Sequence, residues 1–230
     1  MNAFFLSKQK EVEDIWTFKF RPSHAVNYIA GQFVEITIPI EIENNEKPRR
    51  WFSLSSSPTE TDFIAITTRI SKNKPSRYKQ QLFNTAVGSE LNISEAMGDF
   101  VLPRDNKRLI VFIAIGIGIT PYRSMIKYLT DTGQSRHINL YCLNRATETL
   151  PFVNVFSAAG YEPKLINFHR HIDKVTSGVQ NVVDKILDKE SKESLFYISG
   201  PEHAVEDLRK AFITNAIPES QVIGDYFPGY

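Results

Sequence analysis

Cysteine is nearly absent from this sequence of 230 residues, with Cys142 its single instance. A lone thiol cannot ligate an iron–sulfur cluster, build a cysteine zinc site or close an internal disulfide. It sits in the apolar run Ile138-Asn139-Leu140-Tyr141-Cys142-Leu143, where a free cysteine behaves as a small hydrophobe, and it reads as an inert core thiol. An excess of one charge is missing too: 27 Lys and Arg stand against 26 Asp and Glu, a net charge of +1. Such a chain lacks the cationic surplus needed to neutralise nucleic-acid phosphates. No apolar run approaches the roughly 20 residues of a membrane-spanning helix. The opening MNAFFLSKQKEVED turns charged too early for a signal peptide, so the expected location is the cytoplasm. His24, His137, His169, His171 and His203 show no metal-ligand spacing, and no metal site is expected. Internal repeats and low-complexity tracts are also lacking.

What is present fits two globular domains of roughly a hundred residues each. The character of the chain changes at Pro103-Arg104-Asp105-Asn106-Lys107-Arg108, a polar, proline-bearing stretch that reads as a linker. Before it, short segments rich in β-branched and aromatic residues recur at 16–20, 33–38, 64–69 and 91–93, and only 79–83 looks helical. That pattern predicts a small antiparallel barrel or sandwich over residues 1–104. After it, the continuous apolar run 109–115 reads as a strand buried on both faces. A helix at 121–129 and strands at 138–143, 164–168, 195–199 and around 222–223 follow. A helix at 202–214 carries Val205, Leu208, Ala211 and Phe212 on one face. Residues 109–230 are therefore expected to form a doubly wound α/β domain around a parallel sheet. Its dinucleotide site would lie at the strands' C-terminal ends.

Two motifs carry the chemistry, one in each half. Arg50-Trp51-Phe52-Ser53-Leu54-Ser55-Ser56-Ser57-Pro58 offers a cation, an aromatic face and a run of hydroxyls. In an extended segment Arg50 and Phe52 point to one side, so guanidinium and ring can address one ligand, the first forking onto a pyrophosphate. The same residues also suit a strand that ends in a serine-rich turn behind a solvated basic patch. Ile115-Gly116-Ile117-Gly118-Ile119-Thr120-Pro121 departs from the G-x-G-x-x-G fingerprint. It keeps two glycines that let the backbone approach a ligand, and Thr120 to cap a helix that Pro121 starts. The helix N-terminus then faces a phosphate. Plain strand–helix packing is the alternative there.

Together these residues resemble the ferredoxin–NADP reductase superfamily along essentially the whole chain. RWFSLSSSP looks like its R-x-[Y/F]-S flavin signature, and Gly31-Gln32-Phe33 like the segment that opens a barrel strand ahead of it. FIAIGIGITPYRSM resembles its A-G-G-x-G-I-T-P-x-R-S-M segment. Ser199-Gly200-Pro201 stands where Cys-Gly-Pro is usual, and Asp225-Tyr226-Phe227 resembles the C-terminal acid-x-aromatic. The resemblance implies an FAD-binding barrel in which Arg50, Trp51, Phe52, Ser53 and Ser76 hold the cofactor. Arg50 would take the pyrophosphate, Phe52 would stack on the isoalloxazine and Ser53 would bond near N5. Phe227, with Tyr230 as its rival, would cover the other flavin face. It implies an NAD(P)-binding domain in which Gly116, Gly118, Thr120, Pro121, Gly200 and Pro201 meet the nucleotide, with Ser199 and Asp225 beside the nicotinamide. Ser53, Ser199, Asp225 and Phe227 are thus the expected catalytic set.

Two departures stand out. Ile115 replaces a glycine, and Ser199 replaces the cysteine, which rules out any thiolate mechanism at that position. In place of a glycine ahead of Ser76 the chain has Asn73 and Lys74. Arg145 and Arg170 are candidates for an adenosine 2′-phosphate, or for solvated loop arginines, and NADPH is favoured slightly over NADH. The implied activity is an FAD-dependent NAD(P)H oxidoreductase handing electrons to ferredoxin, flavodoxin or a small-molecule acceptor. A flavin reductase using diffusible flavin and a non-autonomous electron-transfer subunit remain the alternatives.

Overall fold

The computed structural model describes residues 1–38, 48–71, 75–144, 149–168 and 175–228. Strands β1 (Asn2–Val12), β2 (Ile15–Pro22), β3 (Phe33–Thr37), β4 (Arg49–Ser53), β5 (Ile64–Arg69) and β6 (Glu90–Ile93) form one antiparallel sheet, ordered β4-β3-β6-β1-β2-β5. Its two edges meet. Leu54 bridges Ile66, and the amides of Ser55 and Ser56 donate to the Ala65 carbonyl at 2.8 and 3.3 Å. The sheet thereby curls toward a barrel.

β1 is the strand that local pattern conceals. Its first half alternates buried Ala3 and Phe5 with exposed Asn2 and Phe4, but residues 7–10 are exposed and polar. Pairing with both β2 and β6 places it inside the sheet regardless. The barrel core gathers Phe5, Phe18, Phe20, Val34, Ile36, Leu54, Ile66, Leu91 and Ile93, joined by Tyr78 and Leu82 of helix α1 (Arg77–Asn84).

Helix α2 (Thr120–Asp131) groups with this first unit, Met1–Leu102, although it follows the first strand of the parallel sheet in the chain. Its anchors are polar. Arg123 donates to the Ser55 carbonyl at 2.9 Å and forks onto the Glu60 carboxylate, with 3.0 Å for its second nitrogen. The Ser57 amide donates to the same carboxylate at 2.7 Å, and Ser124 Oγ donates to the Ser56 carbonyl at 2.5 Å. Burial opposes ionisation of Glu60, but the hydrogen bonds and charge of Arg123, helped by the Ser57 amide, hold its carboxyl below the usual 4.5. The folded state therefore releases this proton more readily than the unfolded one. The stabilisation is complete above the unfolded pKa and is lost as pH falls through the lower folded value. Thermal melts of wild type and Glu60→Gln across acid pH should show a steeper loss below about pH 4.5 in wild type. Parallel curves would remove Glu60 as a source of acid sensitivity.

The second unit is a parallel sheet of β7 (Ile110–Ile115), β8 (Ile138–Asn144), β9 (Lys164–Asn167), β10 (Leu195–Pro201) and β11 (Val222–Phe227), ordered β11-β10-β7-β8-β9. All six residues of β7 are buried, as a central strand covered on both faces requires. Helices α3 (Val153–Ala158), α4 (Val175–Leu187) and α5 (Glu202–Thr214) complete the unit, and α5 buries Ala204, Val205, Leu208 and Phe212. The chain winds from β7 to β9 in one direction and then returns to β10 and β11 on the other side. The order therefore reverses between β7 and β10, and in doubly wound sheets ligands enter at the strands' C-terminal ends beside such a switch point.

Candidate functional site

On the barrel, the β4 pleat puts Arg50 and Phe52 on one side, and Tyr78 of α1 organises both. Its ring is fully buried, stacks with Phe52 at 6.0 Å between centroids and lies under the Arg50 guanidinium at 5.3 Å. Its hydroxyl donates to the Ile36 carbonyl at 2.9 Å, which fixes the ring against β3. Arg50, only 8% exposed, also donates to the Arg49 carbonyl at 2.9 Å. Ser53, at the end of β4, is buried as well.

Ser76 is the N-cap of α1, its Oγ accepting from the Lys79 amide at 3.4 Å. Lys79 therefore stands in the first turn of a helix, where the dipole disfavours a cation. Burial, and after it the charges of Arg50 and Arg69, press its ammonium below the usual lysine range, while Asp14 works the other way. Asp14 itself lies 3.4 Å from Arg69. Three cations and a helix N-terminus thus lie near one another, with the Asp14 carboxylate paired to Arg69. A pyrophosphate fits that donor set, since it takes guanidinium forks, ammonium and helix amides together. Lys79 is absent from the residues singled out above. Its signal was a lysine three positions after a helix-capping serine.

Trp51 does not join this cluster. Strand alternation turns it to the outer face, where it is 52% exposed and donates Nε1–H to Glu35 at 3.0 Å. The trailing serines are also spent internally. Ser55 Oγ accepts from Thr67, Ser56 Oγ from the Ala65 amide, and Ser57 Oγ from the Thr59 amide.

At the C-terminal edge of the parallel sheet, the glycine segment begins a helix earlier than expected. Gly116–Ile119 form a 3-10 turn that runs straight into α2 at Thr120. Thr120 is therefore the first α-helical residue rather than a cap, and both it and Pro121 are buried. Gly116, at φ 57°, makes the reversal, and a Cβ there would meet open space. Gly118 serves packing instead. A Cβ on it would lie 1.9 Å from the Ser199 carbonyl oxygen, so its missing side chain admits protein backbone rather than ligand. A Cβ on Gly200 would likewise lie 2.7 Å from the Ile115 Cβ, so the bare glycine on the neighbouring strand accommodates Ile115 in place of a glycine.

Ser199 and Asp225 face each other across β10 and β11, and Ser199 Oγ donates to Asp225 Oδ2 at 3.0 Å. Pro201 pairs with Phe227 two steps further on. The expected roles of Arg145, Arg170 and Tyr230 fall on positions outside the described residues, as do Asn73 and Lys74. Among the described residues no cluster of His, Cys, Asp or Glu could hold a metal, and no helix is long and apolar enough to cross a membrane.

No family model matches the sequence. It is 25% identical over 232 residues to Flavohemoprotein A of Dictyostelium discoideum, covering 96% of this chain and 58% of that protein. It is 27% identical over 220 residues to the tetrachlorobenzoquinone reductase of Sphingobium chlorophenolicum, covering 94% and 64%. The chain thus spans less than two thirds of these relatives' length. Ferredoxin-NADP+ reductase from Plasmodium falciparum has the same fold, with a TM-score of 0.77 at 17% identity over 98% of this chain and 95% of that one. Two relatives thus align over nearly the full length of the chain, and its two-unit fold is that of the ferredoxin-NADP+ reductase structure.

Proposed function

We propose that this chain is an FAD-dependent NAD(P)H oxidoreductase that passes electrons from a nicotinamide nucleotide to a one-electron acceptor of the ferredoxin or flavodoxin kind. The observation that carries the reading is the cation cluster of Arg50, Arg69 and Lys79 at the first turn of α1, backed by Tyr78 and Phe52. FAD, when bound, supplies acceptance of a hydride and release of electrons one at a time.

The chain's own residues bind and orient. Arg50 and Lys79 hold the FAD pyrophosphate, with the α1 amides beyond Ser76 adding donors. Phe52 offers an aromatic face, and Ser53 a hydrogen bond. On the second unit, Gly116 and the amides of the 3-10 turn receive the nicotinamide nucleotide. Gly118 and Gly200 keep that turn close against β10, which gives them an indirect part in binding. Asp225, its carboxylate held by Ser199, orients the nicotinamide, and Phe227, or Tyr230, gates access to the flavin. Residues 1–104 are in this reading the FAD domain and 109–230 the NAD(P) domain. No residue acts as a nucleophile, because hydride transfer asks only for alignment and exclusion of water.

The test is steady-state reduction of a one-electron dye by the full chain reconstituted with FAD, using NADH and NADPH in turn. Turnover that requires both FAD and a nicotinamide nucleotide supports the reading. A chain that retains FAD and reduces no acceptor with either nucleotide contradicts it. The Sphingobium relative is named for a quinone, so a quinone belongs among the acceptors tried beside ferredoxin and flavodoxin.

A further inference from the structure

Arg123 and Ser124 stand near the end of FIAIGIGITPYRSM, but both reach away from the glycine turn, to the loop that leaves β4. β4 ends at Ser53, and two residues later the loop is gripped. The Ser55 carbonyl accepts from Arg123 at 2.9 Å and the Ser56 carbonyl from Ser124 at 2.5 Å. The Glu60 carboxylate takes the Arg123 fork and the Ser57 amide, the latter at 2.7 Å. Tyr28 adds a hydroxyl contact to Ser56 Oγ at 3.0 Å, and Thr59 donates to Asp131 at the far end of α2.

The same helix leans on the start of β3. Gly31 has φ 105°, and a Cβ on it would lie 2.4 Å from Met125 Cε and 2.1 Å from the Phe100 carbonyl oxygen, so only a bare residue admits α2 there. One step on, the Gln32 carbonyl accepts from the Leu54 amide at 2.9 Å, and Phe33 pairs with Ser53. Along its length β4 has β3 as its one ladder partner among the described residues, so no second ladder holds its end. α2 therefore braces the point where β3 starts and β4 ends, beside Ser53.

The Arg123 and Glu60 side chains are only 16% and 17% exposed. A bridge so far out of water often adds no net stability over an apolar pair of the same volume, whereas its fork fixes direction. We infer that Arg123 is a positioning residue of the flavin site. Through the Ser55 carbonyl and Glu60 it sets the end of β4, and so the aim of Phe52 and the Ser53 hydroxyl at the cofactor. Ser124 supports it through Ser56. This rests on the FAD reading above. The flavin unit thereby draws on a helix that follows β7, beyond residues 1–104.

The experiment is equilibrium dialysis of the full chain with FAD, visible circular dichroism of the bound flavin, and thermal melts of FAD-free protein. Binding is read at a temperature where every variant is folded. Arg123→Met, which keeps the length but loses charge and donors, should raise the Kd for FAD about tenfold and change the bound-flavin dichroism. Arg123→Lys, which keeps the charge but cannot fork, and Ser124→Ala should each raise it about threefold. Lys127→Ala, which cuts an ion pair internal to α2, should leave both readouts at wild-type values. Melting temperatures that fall while FAD Kd and dichroism stay unchanged would make Arg123 an ordinary structural contact and overturn the inference. An equal loss of affinity in Lys127→Ala would overturn it too. Should Arg123→Met not fold, Arg123→Lys and Ser124→Ala decide it on the same readouts. A wild-type chain that binds no FAD would instead remove the reading on which the inference stands.

Discussion

Gly118→Ala is expected to yield a protein whose parallel-sheet unit does not assemble. The added methyl would lie 1.9 Å from the Ser199 carbonyl oxygen, 2.4 Å from its carbon and 2.8 Å from the Gly200 nitrogen. All three are backbone atoms of a strand hydrogen-bonded on both sides, between β7 and β11, so none can swing aside as a side-chain tip does. Relief requires moving the 3-10 turn that holds Gly118 off β10. A loss above about 4 kcal/mol follows, in the range where single substitutions unfold domains. Gly116→Ala is the internal contrast. Space around that Cβ is open, and the penalty is the left-handed backbone at φ 57°, about 1–2 kcal/mol. Circular dichroism melts of the two variants check the pair. Comparable melting temperatures would mean that Gly118 is not the packing contact described.

The second large effect is on flavin retention. Arg50→Ala removes the guanidinium over Tyr78, and a charged hydrogen bond to a phosphate is worth about 1.5–3 kcal/mol, so FAD should bind roughly tenfold to a hundredfold more weakly. Lys79→Gln should weaken FAD in the same direction by a smaller factor. In the FAD-free protein, Lys79→Gln should leave stability unchanged or raise it, because it relieves repulsion with Arg50 and Arg69. That opposite response separates an anion site from an ordinary structural cluster. Equilibrium dialysis with FAD, together with melts of FAD-free protein, gives both readouts. Undiminished FAD affinity in Arg50→Ala, or a destabilised FAD-free Lys79→Gln, would count against the site.

Several of these elements were legible in the sequence because their signals are local. The continuous apolar run of β7 reports burial on two faces, and the spacing of Val205, Leu208 and Phe212 reports the face of α5. Others were not, because their cause is pairing or distance. β1 looks too polar for a strand until β2 and β6 are placed on either side of it. Trp51 shares a motif with Arg50 and Phe52, yet alternation sends it outward. Gly118 reads as a ligand-facing glycine until Ser199, 81 positions later, is seen to fill the space. Tyr78 and Lys79 lie more than 25 residues beyond Arg50, and no spacing rule links a strand residue to a helix that far along the chain.

The central claim is that one chain carries flavin and accepts a hydride from a nicotinamide nucleotide. The most direct measurement is the absorbance spectrum of the FAD-reconstituted protein under anaerobic conditions, before and after one equivalent of NADH or NADPH. The account predicts flavin bands that survive gel filtration and bleach on addition of nucleotide. Bands that survive filtration but persist after both nucleotides, or flavin that elutes apart from the protein, would contradict it.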